Sequence, residues 1–258
     1  MFNFCSLYSG SSGNSLFVQT DNTKILVDAG ESAKKIETAL NSIDVNINDI
    51  DAVIVTHEHS DHIKGLSTIS KKFDIPIYAN KETWDAMPQV AEKTKNQNLF
   101  NVNEKFEIGD LKMVPFSIPH DAANPCGFNI FYNNQKISIA TDIGHIDKKI
   151  IKNLEESSFI LLESNYDPNI LSYSKYPYSL KQRIAGPNEA AGKTVSYLLN
   201  SGLKNVMLGH LSKENNFPEL AYKTVIDELC ASNFDENKIK IAVASRSNPS
   251  EILNLEVS

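Results

Sequence analysis

Residues 53–62 read VIVTHEHSDH. A β-branched apolar run, the composition of a buried strand, stops at three histidines and two acids within six positions. That segment constrains the fold more than any other in the chain. Its first half belongs inside a sheet, and its second half gathers His57, Glu58, His59, Ser60, Asp61 and His62 where the strand ends. Imidazole and carboxylate are the usual ligands of zinc and similar divalent ions. In extended backbone His57 and His59 point the same way. A turn after Ser60 aims Asp61 and His62 at a second position close by, so the spacing suggests two adjacent metals. The competing reading is a charge-rich helix start, with Asp61 serving the helix dipole.

The same event recurs three times downstream. SIPH ends at His120, SIATD at Asp142 and VMLGH at His210, each an apolar strand closing on one ligand-type side chain. Alone, each is an ordinary loop histidine, turn residue or N-cap. Together they point to one metal-binding edge. The chain has only 6 histidines, and five of them fall in these motifs.

Around these motifs the pattern reads as strands at residues 2–7, 15–19, 24–27, 52–56 and 76–79. Helices are expected at 31–40, from about Asp61 through Leu66 and Ile69, and at 81–87, with Trp84 in the core. Residues 106–116 read as two strands joined at Gly109-Asp110, and 127–132 and 136–140 as a hairpin across Asn133-Asn134. Helices at 147–154, 188–199 and 218–230 then alternate with strands at 159–162, 205–208 and 238–243. Two mixed sheets packed together with helices outside, an α+β architecture, accommodate this order. No linker divides the 258 residues, so one domain with two pseudo-halves meeting near residue 130 is expected.

With 25 basic against 32 acidic residues the net charge is −7, unlike a general nucleic-acid coat protein but compatible with a local basic groove. Cys5, Cys126 and Cys230 form no Cys-x-x-Cys pair. That argues against a disulfide scaffold or a thiolate zinc site and for a reducing compartment. The start lacks a basic, then apolar, leader, and no apolar run reaches membrane-spanning length. A cytoplasmic protein with no membrane partner is expected.

HEHSDH with His120, Asp142 and His210 resembles the metallo-β-lactamase fold superfamily. LVDAG at 26–30 resembles its first motif, in which Asp28 orients the histidine loop. The segments SLYSGSSGNS, LLESNYD, YPYSLKQRIAG, NEAA and LGHLSKENN resemble the YycJ-type (WalJ, VicX) nuclease branch. The resemblance implies a four-layer αββα sandwich and a dinuclear metal-dependent phosphodiesterase, with 5′-to-3′ DNA exonuclease the favoured activity. It implies one ion on His57, His59 and His120, another on Asp61, His62 and His210, and Asp142 bridging them. A metal-bound hydroxide is then the nucleophile, with Asp61 as ligand or as base. The all-N/O donor set suits Zn, Mn or Fe alike. Nucleic acid is the expected substrate, DNA ahead of RNA. The alternative is a small-molecule hydrolase on the same fold, a cyclic phosphodiesterase or other ester hydrolase, which the acidic net charge favours.

Substrate contacts are expected from Ser11, Ser12 and Asn14 in the small-residue loop, whose backbone can approach a phosphate. Ser212, Lys213 and Asn215, directly after His210, read as a phosphate clamp, and His145 as a proton donor to the leaving oxygen. Each has a plainer counterpart: a turn, capping residues, a loop histidine. Tyr173, Lys175, Tyr176, Tyr178, Lys181 and Arg183 form a basic aromatic cluster, suited to unpaired nucleic acid or to a solvated face. Glu58 reads as a surface or orienting carboxylate.

Overall fold

A computed structural model describes residues 1–175, 188–232 and 238–256. Tyr176, Tyr178, Lys181 and Arg183 of the expected basic cluster lie outside them. The chain forms two compact units. Unit one comprises Met1–Ser117, Asp121–Gln135 and Ser245–Ser258; unit two comprises Ile118–His120 and Lys136–Ala244.

Unit one is built on a seven-stranded sheet. Its strands are β1 (Phe2–Tyr8), β2 (Ser15–Gln19), β3 (Lys24–Val27), β4 (Ala52–Ile54), β5 (Ile77–Ala79), β6 (Gln97–Leu99) and, at the far edge beside β1, β14 (Leu253–Leu255). Pairing is antiparallel from β14 through β3 and parallel from β3 through β6. Ile25, Leu26, Val27, Val53 and Ile54 are wholly buried, as parallel strands covered on both faces require. The helices Ala33–Asn41 and Leu66–Phe73 cover one face with Ile36, Leu40, Leu66 and Ile69.

An antiparallel run, β7 (Phe106–Ile108), β8 (Leu111–Ser117) and β9 (Cys126–Tyr132), completes unit one. It packs on the first sheet through aromatic rings. Tyr78 stacks on Phe106 at 6.0 Å, and Phe100 stacks on Phe106 at 5.0 Å and meets Phe128 edge-on at 5.5 Å.

Unit two carries the parallel strands β10 (Gln135–Ala140), β11 (Phe159–Glu163), β12 (Asn205–Gly209) and β13 (Lys240–Val243), in that spatial order. Ile139 pairs with Leu161, Leu161 with Met207 and Met207 with Ala242. Helices Lys148–Leu154, Pro168–Tyr173, Asn188–Leu199 and Pro218–Ala231 connect them. Asp147 and Asp167 cap the first two, each carboxylate accepting two backbone N–H groups.

The expected helix from Asp61 is instead two, Ser60–Ile63 and Leu66–Phe73. Gly65 separates them because its N–H donates to Ala29 O at 2.8 Å. A Cβ on Gly65 would lie 2.4 Å from Glu31 O. The helix expected from Glu31 begins at Ala33 behind Ser32 as N-cap. Trp84 is core, 5% exposed, and donates its indole N–H to Asn98 O.

Candidate metal centre

In unit one, β4 delivers the histidine loop from the carboxyl end of a parallel strand, where α/β sheets present ligands. The His57 ring centroid lies 4.6 Å from that of His59 and 4.1 Å from that of His62. The His62 Nε2 lies 3.7 Å from Asp61 Oδ2. His57 and His62 are fully buried.

Asp28 holds this cluster. It sits just past β3 at φ 62, a left-handed turn that aims its carboxylate across to the next strand. Its Oδ1 accepts from Thr56 N at 2.9 Å, and its Oδ2 from the Thr56 hydroxyl at 2.8 Å and from His62 Nδ1 at 2.8 Å. The Thr56 hydroxyl gives its proton to Asp28, so its oxygen accepts from His57 Nδ1, 3.0 Å away. One carboxylate therefore fixes two tautomers, His62 directly and His57 through Thr56. Each ring keeps its proton on Nδ1 and its lone pair on Nε2. His59 is set the other way. Its Nε2 donates to Asp121 O at 3.1 Å, which leaves the lone pair on Nδ1.

Asn14 lies within this arrangement. Its amide nitrogen lies 3.3 Å from Asp61 Oδ2 and 3.0 Å from His62 Nε2, and its Oδ1 accepts from Gly10 N at 2.9 Å. The loop bearing it is bonded to the ligand segment through Asn14 N to Asp61 O at 2.8 Å. That approach requires Gly30: a Cβ there would lie 1.7 Å from Asp61 O and 2.5 Å from Asn14 N. Asn14 is thus a buried brace for Asp61 and His62. Ser11 and Ser12 are exposed, as a ligand contact requires. Glu58 is an orienting carboxylate, accepting from Ala123 N at 2.8 Å and so tying the histidine loop to residues 121–124.

In unit two, His120 Nε2 lies 4.0 Å from Asp142 Oδ1, and His210 Nε2 lies 3.4 Å from the same oxygen. Gly144 N donates to Pro119 O at 2.6 Å, which draws the segments bearing Asp142 and His120 together. Asp142 and His210 both have left-handed backbones, φ 57 and 55. Such a conformation costs roughly 1–3 kcal/mol and persists where its surroundings fix it.

One residue of this cluster, Glu163, falls in the LLESNYD segment but is not among the site residues expected from the sequence. Glu163, at the end of β11 and 4% exposed, places Oε1 3.1 Å from His210 Nδ1 and accepts Ile143 N on Oε2 at 2.5 Å. Burial pushes its carboxyl above the usual carboxylate range, while His210 draws it back. The strand read from sequence stops at residue 162, one short of Glu163. Its partner His210 is 47 residues away, beyond the reach of local periodicity.

The expected clamp after His210 divides. Asn215 is fully buried, and its backbone N and side-chain amide both donate to Ser212 Oγ, so these two residues shape their own turn. Ser212 turns the chain, and Asn215 packs behind it. Lys213 is exposed. His145 is exposed, three residues past Asp142. Tyr173 is 91% exposed and Lys175 is exposed.

The donors, imidazole nitrogens and carboxylate oxygens with each described tautomer fixed by a protein group, fit divalent cations. The Cys126 thiol is no competing ligand: burial pushes it well up, and its Sγ faces Thr56 O.

The chain is also similar to known proteins. The family described as the metallo-beta-lactamase superfamily matches residues 8–210. Exodeoxyribonuclease YycJ of Bacillus anthracis is 38% identical over 238 residues, covering 90% of each chain. Exodeoxyribonuclease WalJ of Streptococcus pneumoniae is 35% identical over 241 residues, again 90% of each. Among solved structures, the metallo-beta-lactamase fold protein YhfI of Bacillus subtilis superposes with TM-score 0.74 at 15% identity, covering 97% of this chain and 100% of that one. That likeness shows the fold, two packed sheets flanked by helices.

Proposed function

Because the chain belongs to the metallo-β-lactamase superfamily and is a divalent-metal-dependent hydrolase, we propose that it is a DNA exonuclease that cleaves phosphodiesters from the 5′ end. The observation that carries this reading is the extended likeness to exodeoxyribonucleases, which covers 90% of the chain and not only the metal motif. On this reading the substrate is nucleic acid, DNA in preference to RNA.

On this reading His57, His59, Asp61, His62, His120, Asp142 and His210 would hold two divalent ions of the zinc, manganese or iron type. When bound, such ions acidify water and neutralise charge that develops on a phosphoryl oxygen. The chain's own residues do the rest. Asp28 and Thr56 keep the lone pairs of His57 and His62 on Nε2. Asn14 steadies Asp61, so that its carboxylate is placed to orient the attacking water and accept its proton. Ser11, Ser12 and Lys213 are exposed donors for substrate phosphates, and His145 is the exposed imidazole that protonates the leaving oxygen.

The test is a substrate comparison with metal-loaded protein: DNA labelled at its 5′ or its 3′ end, single- and double-stranded, RNA, and bis-p-nitrophenyl phosphate. Labelled mononucleotide released first from 5′-labelled DNA is the expected result. Turnover of the small diester with both nucleic acids intact would return the chain to the small-molecule hydrolases.

A further inference from the structure

β11 is the middle strand of three whose carboxyl ends carry, in spatial order, Asp142, Glu163 and His210. Glu163 pairs in register with Gly209, and Ser164 N donates to Gly209 O at 3.0 Å, so its side chain starts level with the residue before His210. From there its two oxygens reach opposite neighbours. Oε1 lies 3.1 Å from His210 Nδ1, and Oε2 takes the N–H of Ile143, the residue after Asp142, at 2.5 Å. The Asn165 amide nitrogen lies 3.4 Å from the same Oε1 and 3.3 Å from His210 Nδ1.

A carboxylate here accepts on both oxygens, which a neutral amide cannot do. With Oε1 accepting, His210 keeps its proton on Nδ1 and its lone pair on Nε2, the nitrogen facing Asp142 at 3.4 Å. With Oε2 accepting, the left-handed turn at Asp142 is pinned immediately downstream. We propose that Glu163 is a positioning residue that fixes two metal-ligand side chains at once, the ring of His210 and, through the backbone of Ile143, the carboxylate of Asp142. This rests on the reading of His210 and Asp142 as ligands.

Gln at 163 is nearly isosteric but has one acceptor. Its amide N–H₂ must face either Ile143 N–H, which repels it, or His210 Nδ1, which forces the ring proton to Nε2 and removes the lone pair. Glu163→Gln is therefore expected to weaken Zn²⁺ and Mn²⁺ binding by about 10- to 100-fold, read by competition with a chromogenic chelator. Nitrogen-15 imidazole spectra of the metal-free protein above pH 8 are expected to show Nδ1–H for His210 in wild type and Nε2–H in Glu163→Gln. Adding Glu163→Gln to His210→Ala is expected to lower affinity further through the lost pin on Asp142, by less than it does alone.

A wild-type Nε2–H tautomer overturns the proposal, and that reading requires no variant to fold. So does folded Glu163→Gln with affinity within twofold of wild type. His210→Ala with wild-type affinity would overturn instead the ligand assignment on which the proposal stands.

Discussion

The Thr56 hydroxyl offers the sharpest perturbation of the unit-one histidines. Thr56→Val keeps the shape of the side chain and removes only the hydroxyl. Thr56 is 3% exposed, so water cannot replace what is lost. Two strong bonds go, the one donated to the Asp28 carboxylate at 2.8 Å and the one accepted from His57 Nδ1 at 3.0 Å, together with a longer 3.3 Å contact to His62 Nδ1. A bond to a charged acceptor contributes roughly 1.5–3 kcal/mol, and a buried N–H left without its acceptor costs roughly 1–3 kcal/mol. A loss of about 3 kcal/mol is therefore expected in the metal-free protein. At roughly 2–4 °C per kcal/mol for a chain of this size, the melting temperature falls by about 6–12 °C. The His57 tautomer is no longer fixed, so metal affinity falls by about 10- to 100-fold. Thr56→Ser keeps the hydroxyl and is expected to restore most of both. The assay is calorimetry of the chelated protein alongside chelator competition for Zn²⁺. Thr56→Val with wild-type affinity would refute the relay from Asp28 through Thr56 to His57, whatever its melting temperature.

Other perturbations follow from the same geometry. Gly30→Ala places a Cβ 1.7 Å from Asp61 O, in contact with backbone on both sides, and is expected to cost about 2–4 kcal/mol in urea unfolding and to disturb metal binding; an unchanged midpoint would mean that the two loops do not approach so closely. Lys136 is buried with its ammonium on Asn153 O and Glu155 O, and burial lowers its pKa to about 8. The unfolded chain then holds that proton more tightly between about pH 8 and the ordinary lysine value near 10.4, so stability contributed at this position rises with pH across the window. Wild type should gain on Lys136→Met from pH 8 to 10 in paired urea titrations, and a constant difference would contradict it. Removing metal by chelation should lower the melting temperature, and restoring ions at about 100 times their dissociation constant should return about 2.7 kcal/mol. A melting temperature indifferent to metal would count against binding by the folded state.

The candidate donors stand out in the sequence because each follows an apolar strand directly or within a few residues, and strand composition is a local signal. The strands at Ser15–Gln19 and Lys24–Val27 fall where their β-prone composition, bounded by turn residues, places them. Features set by distant backbone were not legible. The helix break at Gly65 depends on Ala29 and Glu31, more than thirty residues earlier. β6, Gln97–Leu99, is a polar edge strand with Leu99 66% exposed, and it lacks the pattern by which strands are read. The burial of Asn14 and Asn215, and the hydrogen bonds they make to Asp61 and Ser212, follow from chain segments the local sequence does not describe. Glu163 was hidden because nothing near it in sequence shows that both neighbouring strands end in candidate ligands. The strand order alone brings them together.

The central claim is that the candidate ligand set hydrolyses DNA by means of the ions it holds. The most direct measurement is the rate of mononucleotide release from 5′-labelled DNA by metal-reconstituted wild type, by chelated wild type and by Asp142→Ala, with bound metal counted in the same samples. Release by the reconstituted protein alone, with metal depleted in Asp142→Ala, is the predicted result. DNA degraded at the wild-type rate by metal-depleted Asp142→Ala would contradict it.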